Sequence, residues 1–379
     1  MSLPLLSAAL IVRDEEAVLG ACLASLRGLV DEIVVVDTGS TDRSPSIAAD
    51  HGARVVHHRW TDDFAEARNV SLDHATGSWV LYIDADERIV DCDHDAVRRR
   101  LDRASEAAFR VWLRPERDST PYREYRLWRH DPRIRFEGVI HERVTTAIHR
   151  VAEHDGRDIG LLDVLIDHVG YEGDQIAKHR RNLPLLRRQL DADRSNLFVW
   201  HHLSRVLDGL GHQAEAERVL DEGVQVARDL PHVDPCGVML FADLVTRRRE
   251  RGVDASGLLA EARATYPTNC VLLYLEGQAL TDAGEHDLAV ERFDALLSTD
   301  VDGLPPGSPS YDERLFGDLA HAGRALALFR SGRYAEAARS YAAAAELVPS
   351  NAEYTVKQQL AEARARSSPV HATGRSPWS

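Results

Sequence analysis

The chain has 379 residues, 44% of them hydrophobic, and a formal net charge of −15. That length suits two domains at roughly 100–200 residues each, and the acidity excludes general affinity for nucleic acid or anionic membrane. Four scattered cysteines, Cys22, Cys92, Cys236 and Cys270, form no C-x-x-C pair. They read as reduced thiols of a cytoplasmic protein rather than a disulfide framework.

The apolar start, Met1 to Val12, lacks a basic n-region and runs at once into Asp14-Glu15-Glu16. It reads as a first strand, Leu6–Val12, rather than a signal peptide. No later segment has the length of a membrane helix. Strand and helix signals then alternate: helix Glu15–Leu26, strand Glu32–Asp37, helix Ser44–His51, strand Arg54–His57, helix Phe64–Ala75 and strand Trp79–Asp84. Such alternation predicts a parallel, doubly wound sheet with right-handed crossovers. After a helix over His94–Ala104 the pattern changes to short strands with polar alternation. These are Ala107–Leu113, Tyr122–Trp128, Arg133–Phe136, Val139–Thr145 and Ile159–Asp167, expected to be antiparallel.

From about Gly173 the chain reads as helix throughout. Small and large apolar residues recur in Trp200-x-x-Leu203, Ala216-x-x-x-Leu220, Ala255-x-x-x-Leu259, Gly277-x-x-Leu280, Ala289-x-x-x-Phe293, Ala325-x-x-Leu328 and Ala337-x-x-x-Tyr341. The pattern matches degenerate tetratricopeptide (TPR) repeats of about 34 residues. Leu304-Pro-Pro-Gly-Ser-Pro-Ser310 reads as a loop between units. The expected organisation is an α/β domain over 1–172, a TPR-like helical domain over 173–366 and a disordered tail over 367–379. The basic run within Gln175–Leu190 reads as the solvated face of a linking helix.

Two apolar runs end abruptly in carboxylates: Ile33 to Asp37, and Trp79 through Asp84-Ala85-Asp86-Glu87. In open α/β sheets ligands bind at the carboxyl ends of the strands. Both runs therefore aim acids at one crevice, an arrangement suited to a divalent cation bridging phosphate oxygens. Strand alternation would put Asp84 and Asp86 on one side and Ala85 on the other.

Taken in order, Ile11-Val-Arg-Asp-Glu-Glu16, Val35-Val-Asp37-Thr-Gly-Ser-Thr-Asp42, Asp63-Phe-Ala-Glu-Ala-Arg68-Asn69 and Ala75 to Glu87 resemble family 2 glycosyltransferases. The resemblance implies the α/β GT-A (nucleotide-diphospho-sugar transferase) fold, ahead of the all-α TPR-like domain, and a bacterial hexosyltransferase type of activity. It implies that Val12, Arg13, Glu15, Asp37, Arg68, Asp84 and Ala85 bind a nucleotide sugar, with UDP-sugars as the expected donors. Asp86, in the D-x-D motif, would hold Mn²⁺ or Mg²⁺, for which carboxylate oxygen is the favoured donor, with His168 or His141 as a late histidine ligand. In Phe136-Glu-Gly-Val-Ile-His141-Glu142, Glu142 or His141 would take the acceptor proton in an inverting displacement. Asp62, Asp63 and Asp131 are lesser base candidates. The combination with TPR-like helices resembles peptide glycosyltransferases, including those that modify Cys or Ser of ribosomally made bacteriocins. It resembles equally transferases of glycans and secondary metabolites. Acceptor peptide or protein, glycan or metabolite, and a homodimer through the helical domain, are the expected partners. The rival readings are a non-catalytic TPR scaffold carrying a relic transferase domain, and a nucleotidyltransferase. The latter is disfavoured because Arg13-Asp-Glu-Glu16 stands where a Gly-rich phosphate loop belongs.

Overall fold

A computed structural model describes residues 3–170, 175–304 and 308–367. The described residues form two compact units, one within Met1–His232 and Pro305–Ser310, the other within Val233–Leu304 and Tyr311–Ser379. In chain order the first unit contains β1 (Leu6–Val12), α1 (Leu19–Ser25), β2 (Glu32–Asp37), α2 (Ser44–Asp50), β3 (Arg54–His57), α3 (Phe64–His74), β4 (Trp79–Tyr82) and β5 (Glu87–Cys92). There follow α4 (His94–Asp102), β6 (Ala108–Arg114), β7 (Tyr122–Arg129), α5 (Thr145–Asp155), β8 (Ile159–His168), α6 (Gln175–Ala192), α7 (Leu197–Gly209) and α8 (Gln213–Asp229).

The eight strands make one sheet in the order β3-β2-β1-β4-β7-β6-β8-β5. The first four are parallel, as the alternation predicts. Their apolar runs are continuous because both faces are covered. Leu6, Leu10, Leu81 and Phe109 pack on one side with Cys22 and Leu26 of and beside α1. Ala9, Val80 and Trp128 pack on the other with Leu72 and Ile148. The β1–β2 register pairs Val12 with Asp37, and β4 runs on the far side of β1. Asp37 and the acids after β4 thus reach the same edge of the sheet.

The structure departs from the sequence expectations at several points. The helix expected from Glu15 starts at Leu19, because residues 14–16 are laced to the loop after β2. Asp14, at φ 55°, accepts from the Thr41 N–H (2.6 Å), while the Glu15 and Glu16 N–H groups donate to Ser44 Oγ (2.8 Å) and Asp42 (3.0 Å). β4 stops at Tyr82, and Asp84-Ala85-Asp86 is a tight turn closed by the Glu87 N–H on the Asp84 carbonyl at 3.0 Å. Strand alternation therefore does not set the directions of those acids. Arg133–Phe136 and Val139–Thr145 are not strands. Arg133–Phe136 is irregular chain leading into a loop that the single Glu137–Arg143 bridge closes, Val139 lies within that loop, and α5 begins at Thr145. The late strands are mixed rather than antiparallel throughout, since β6 and β8 run parallel.

The second unit comprises α9 (Gly237–Glu250), α10 (Ser256–Thr265), α11 (Cys270–Ala283), α12 (His286–Leu297), α13 (Asp318–Arg330), α14 (Tyr334–Leu347) and α15 (Ala352–Ser367). Its core follows the small-against-large rule. Phe293 of α12 is fully buried, and a Cβ on Gly323 of α13 would lie 2.5 Å from its ring. Ala325, Leu328, Ala337, Tyr341 and Ala344 are all buried, as the repeat pattern requires. Compactness divides the chain elsewhere than at 172/173, for α6, α7 and α8 group with the sheet. Of the tail expected to be disordered, Ser367 ends α15 and residues 368–379 lie outside the described residues, as do 305–307 of the proline-rich loop. Among the described residues no helix is long and apolar enough to cross a membrane.

Candidate active site

Asp37 ends β2 with its side chain 5% exposed. Its Oδ1 accepts from the Ser40 N–H at 3.0 Å, and its Oδ2 lies 3.1 Å from His57 Nδ1. Burial works against ionisation, but the hydrogen bonds from Ser40 and His57 override it and hold the carboxyl below its usual range. Asp37 is an ionised acceptor at the rim of the sheet. Val12, beside it on β1, is buried, and its carbonyl is taken by the Thr38 N–H at 3.0 Å. Arg13 is exposed.

The acids after β4 are held by two guanidiniums. Arg68, on α3, donates from Nη2 to Asp84 Oδ1 at 2.8 Å and from Nε to Glu142. Its guanidinium carbon sits 4.2 Å from the centre of the Tyr82 ring, whose hydroxyl donates to Asp84 Oδ2 at 3.1 Å. Arg68 is only 7% exposed, so the cation expected to face the nucleotide is spent on tying two carboxylates together. Arg126, on β7, forms a buried bidentate pair with Glu87 (2.7 and 3.1 Å) and stands 3.9 Å from Asp84. Burial would raise the Asp84 carboxyl, but Arg68 and then Arg126 hold it below its ordinary value. Glu87 goes the other way. Burial, with Asp84 and Asp86 close by, pushes it up despite Arg126. Arg126 was missed by sequence reasoning, since it is one of three arginines in β7, with Arg123 and Arg129, and nothing local marks it as the buried one. Ala85, between the acids, is buried.

Asp86 and His168, named above as expected cation ligands, lie side by side. The pairing of β5 with β8 sets Glu87 opposite His168. Asp86 Oδ2 then lies 2.9 Å from His168 Nε2, while His168 Nδ1 lies 2.9 Å from the Pro115 carbonyl. With Nδ1–H donated to that carbonyl, Nε2–H donates to Asp86 in the metal-free chain; loss of that proton would free the Nε2 lone pair for a cation, the outer-shell arrangement of a metal-binding histidine. A separation of 2.9 Å also matches neighbouring ligands at about 2.1 Å from one small cation. The donor pair therefore fits Mn²⁺ or Mg²⁺, although among the described residues no three His, Cys, Asp or Glu side chains form a ready metal cluster. In the metal-free chain the bond to Asp86 lifts His168 to about 9. Nearby Glu15 is pushed up to about 7, by burial first and by Asp86 next.

Glu142 and His141 diverge. The Glu142 side chain is 7% exposed and faces Arg68. His141, at φ 50°, turns towards α7, with its ring 4.1 Å from that of His202 and 5.2 Å from that of Phe198. Burial, then Arg143, Lys178 and His201, lowers His141 to about 4; burial, then His141, His201 and Arg205, lowers His202 to about 2. Both rings are neutral in the folded chain at pH 7. Their folded pKa values lie below the ordinary histidine value, so the unfolded chain takes up protons first as the pH falls. Stability should be complete above about pH 6.5 and decline below it, by up to roughly 1.4 kcal/mol per pH unit for each ring. Denaturant midpoints at pH 7.5 and 5.5 test this, and His202→Phe should shrink the difference. Asp63 is no base in this arrangement: it caps α3 by accepting from the Glu66 N–H at 2.9 Å. Asp131 is held in ion pairing with Arg133 at 2.6 Å.

The family model for glycosyl transferase family 2 matches residues 7–149, the span that holds Asp37, Arg68, Asp84, Asp86 and Glu142. This domain is a family 2 glycosyltransferase domain. A tetratricopeptide repeat model matches residues 318–351, which contain α13 and α14. A TPR repeat-containing protein of Synechococcus elongatus is 35% identical over 259 residues, covering 66% of this chain and 63% of that protein. The chain thus spans less than two thirds of that relative. The SPbeta prophage-derived glycosyltransferase SunS of Bacillus subtilis is 24% identical over 326 residues, 78% of this chain and 74% of that protein. Among solved structures, residues 1–349 of S. aureus TarS align over 69% of this chain and 87% of that one at 16% identity, with a TM-score of 0.36, too low to add weight. The glycosyltransferase domain therefore has the α/β character expected of GT-A proteins, and helical repeats follow it.

Proposed function

We propose that the chain moves a sugar from a nucleotide-sugar donor, a UDP-sugar, to an acceptor with inversion at the anomeric carbon. The observation that supports this most is the meeting of Asp37, Asp84 and the Asp86–His168 pair at one edge of the parallel sheet. Asp37 is the acceptor for a pyrimidine N–H, which selects the base. Asp84, fixed by Arg68 and Tyr82, lies on the ribose side. Asp86 and His168 would hold a divalent cation, whose chemistry when bound is to neutralise charge growing on the leaving diphosphate.

Glu142 is the base we favour over His141. The His141 ring is packed between Phe198 and His202 and, at about 4, binds a proton weakly. Glu142 shares Arg68 with Asp84, which sets the acceptor side directly against the donor side. In the displacement, the acceptor atom bonds to the anomeric carbon and its proton passes to Glu142. The anomeric C–O bond breaks, and its electron pair leaves with the nucleoside diphosphate. Arg68 keeps its bond to Asp84 throughout, so the paired geometry survives the proton transfer. The acceptor class is a peptide or protein, or a glycan or metabolite; stacked helical hairpins such as those of the second unit make surfaces suited to extended ligands.

Thermal-shift screening of the purified chain with UDP and UDP-sugars, with and without Mn²⁺, tests the donor and cation together. Stabilisation by UDP only when Mn²⁺ is present, with slow hydrolysis of one donor, is the expected result. NMR of the sugar product should show the opposite anomer to the donor. No shift with any uridine nucleotide, with or without cation, would return the chain to the scaffold reading.

A further inference from the structure

The loop from Phe136 to Arg143, which carries Glu142, has little regular structure of its own. One end is pinned to α3: the Phe136 N–H donates to Asn69 Oδ1 at 2.9 Å, and Asn69 Nδ2 returns a bond to the Phe136 carbonyl at 3.0 Å. The neck is closed by the Glu137–Arg143 bridge, with bonds of 3.0 and 2.9 Å. Between these points the backbone is forced into left-handed geometry twice, at Gly138 (φ 102°) and His141 (φ 50°). Glycine adopts such a conformation freely, but histidine does so at a cost of about 1–3 kcal/mol, and the surroundings must hold it.

What holds it comes from the first helices after the sheet. Gln189 of α6 accepts from the Val139 N–H at 3.0 Å and lies so close to Gly138 that a Cβ there would be 3.1 Å from its amide nitrogen. The neighbouring Arg188 donates to the Asp62 carbonyl, just ahead of α3. On α7, Phe198 and His202 form a three-ring stack with His141, their own rings being 4.2 Å apart. Arg143, at the loop's far end, lies 5.5 Å from the Phe198 ring and donates to Asn196, the N-cap of α7, at 3.3 Å. Aromatic packing of this kind contributes about 0.5–1.5 kcal/mol per pair beyond burial, comparable to the strain at His141. The rings are neutral, so no charge repulsion opposes the stack.

We propose that Gln189, Phe198 and His202 are positioning residues for Glu142: the α6–α7 hairpin, although helical in sequence, belongs to the catalytic unit and sets the reach of the base. His141 is then the hook by which α7 grips the loop. This deepens the transferase reading and rests on it for the catalytic consequence, but the structural half stands alone.

Hydrogen exchange on the full chain separates the two. In Phe198→Ala and His202→Ala, the Glu137 and Arg143 amides should exchange at least about tenfold faster, while the amides of β1 and β2 keep their protection. His202→Phe, which retains a ring in the stack, should restore protection. Gln189→Ala, at a half-buried site that leaves the core intact, should free the Val139 amide and serves if either ring variant fails to fold. In turnover, kcat should fall at least about tenfold in the alanine variants with the donor KM unchanged, and His202→Phe should recover it. Unchanged loop exchange in Gln189→Ala and in the folded ring variants overturns the proposal. So does a raised donor KM with kcat intact. If the wild-type chain turns over no donor, the transferase reading fails while the exchange data still decide whether α6–α7 grips the loop.

Discussion

Arg68→Met should be the most destabilising single substitution in the glycosyltransferase domain, at about 3–5 kcal/mol. The guanidinium is 7% exposed and serves Asp84 and Glu142 at once, with Tyr82 stacked against it. Methionine fills much of the volume but leaves two acids facing each other with one cation, Arg126, 3.9 Å from only one of them. Each would then gain a proton more easily, because burial and like charge both favour the neutral form. A denaturant midpoint well below wild type at pH 7.5, partly recovered at pH 5, checks the account. The double variant Arg68→Met with Glu142→Gln should lose less stability than the single one, because one of the stranded charges is gone. Arg68→Lys should not rescue, since an ammonium lacks the planar fork that reaches both acids. If Arg68→Met were as stable as wild type, the two carboxylates would not depend on it, and the geometry of Glu142 would need another support.

Asp86→Ala should leave the fold intact and remove activity. The side chain is 24% exposed, and its hydrogen-bond partner is His168. Loss of the carboxylate should abolish Mn²⁺-dependent stabilisation by UDP and lower turnover by on the order of 10²–10³-fold, the several kcal/mol a Lewis acid supplies. A second readout needs no donor. His168 titrates at about 9 chiefly because of its bond to Asp86. In the metal-free wild type the folded value exceeds the unfolded one, so this pair stabilises fully below about pH 6.5 and its contribution is lost as the pH rises through 9. In Asp86→Ala the His168 resonance should titrate near its ordinary value, and that component of the pH dependence should vanish. A His168 titration unaltered by the substitution would mean that the two do not form a pair in solution.

The legible part of the site is the part encoded locally. Asp37 and the Asp84–Glu87 cluster are recognisable because each terminates an apolar, β-branched run, and strand ends of a parallel sheet share an edge. The elements themselves were readable for the same reason, since both periodicities live within a few residues. Errors came where long-range bonds replaced local ones. The helix expected at Glu15 is shortened because residues 14–16 bond to residues 41–44 instead of to their own next turn. The two strands expected around Phe136 and Val139 contain apolar alternation, but Asn69, Gln189 and α3 take up their backbone groups, so no ladder forms. The basic run on α6 was read as a solvated face. Its lysine and arginines are indeed exposed, and what the reading did not contain is that Arg188 and the adjacent Gln189 also reach the loops before α3 and around Gly138.

By itself, then, the sequence determined the order of strands and helices, the acids at the carboxyl ends of β2 and β4, and the small-against-large pattern of the helical repeats. Only the tertiary structure decided what those acids touch. Arg68 and Glu142 are 74 residues apart and Asp86 and His168 are 82 apart, and each pair exists because of where the chain returns. The return is set by sheet order: β8 lies against β5 and brings His168 beside the turn after β4. Hydrophobic periodicity fixes which face of an element is buried, because burial is non-directional and sums over neighbours. A hydrogen-bonded pair of charged side chains is directional and spans a few ångströms. Its partners are therefore chosen by the packing of whole elements, which no short window of residues contains.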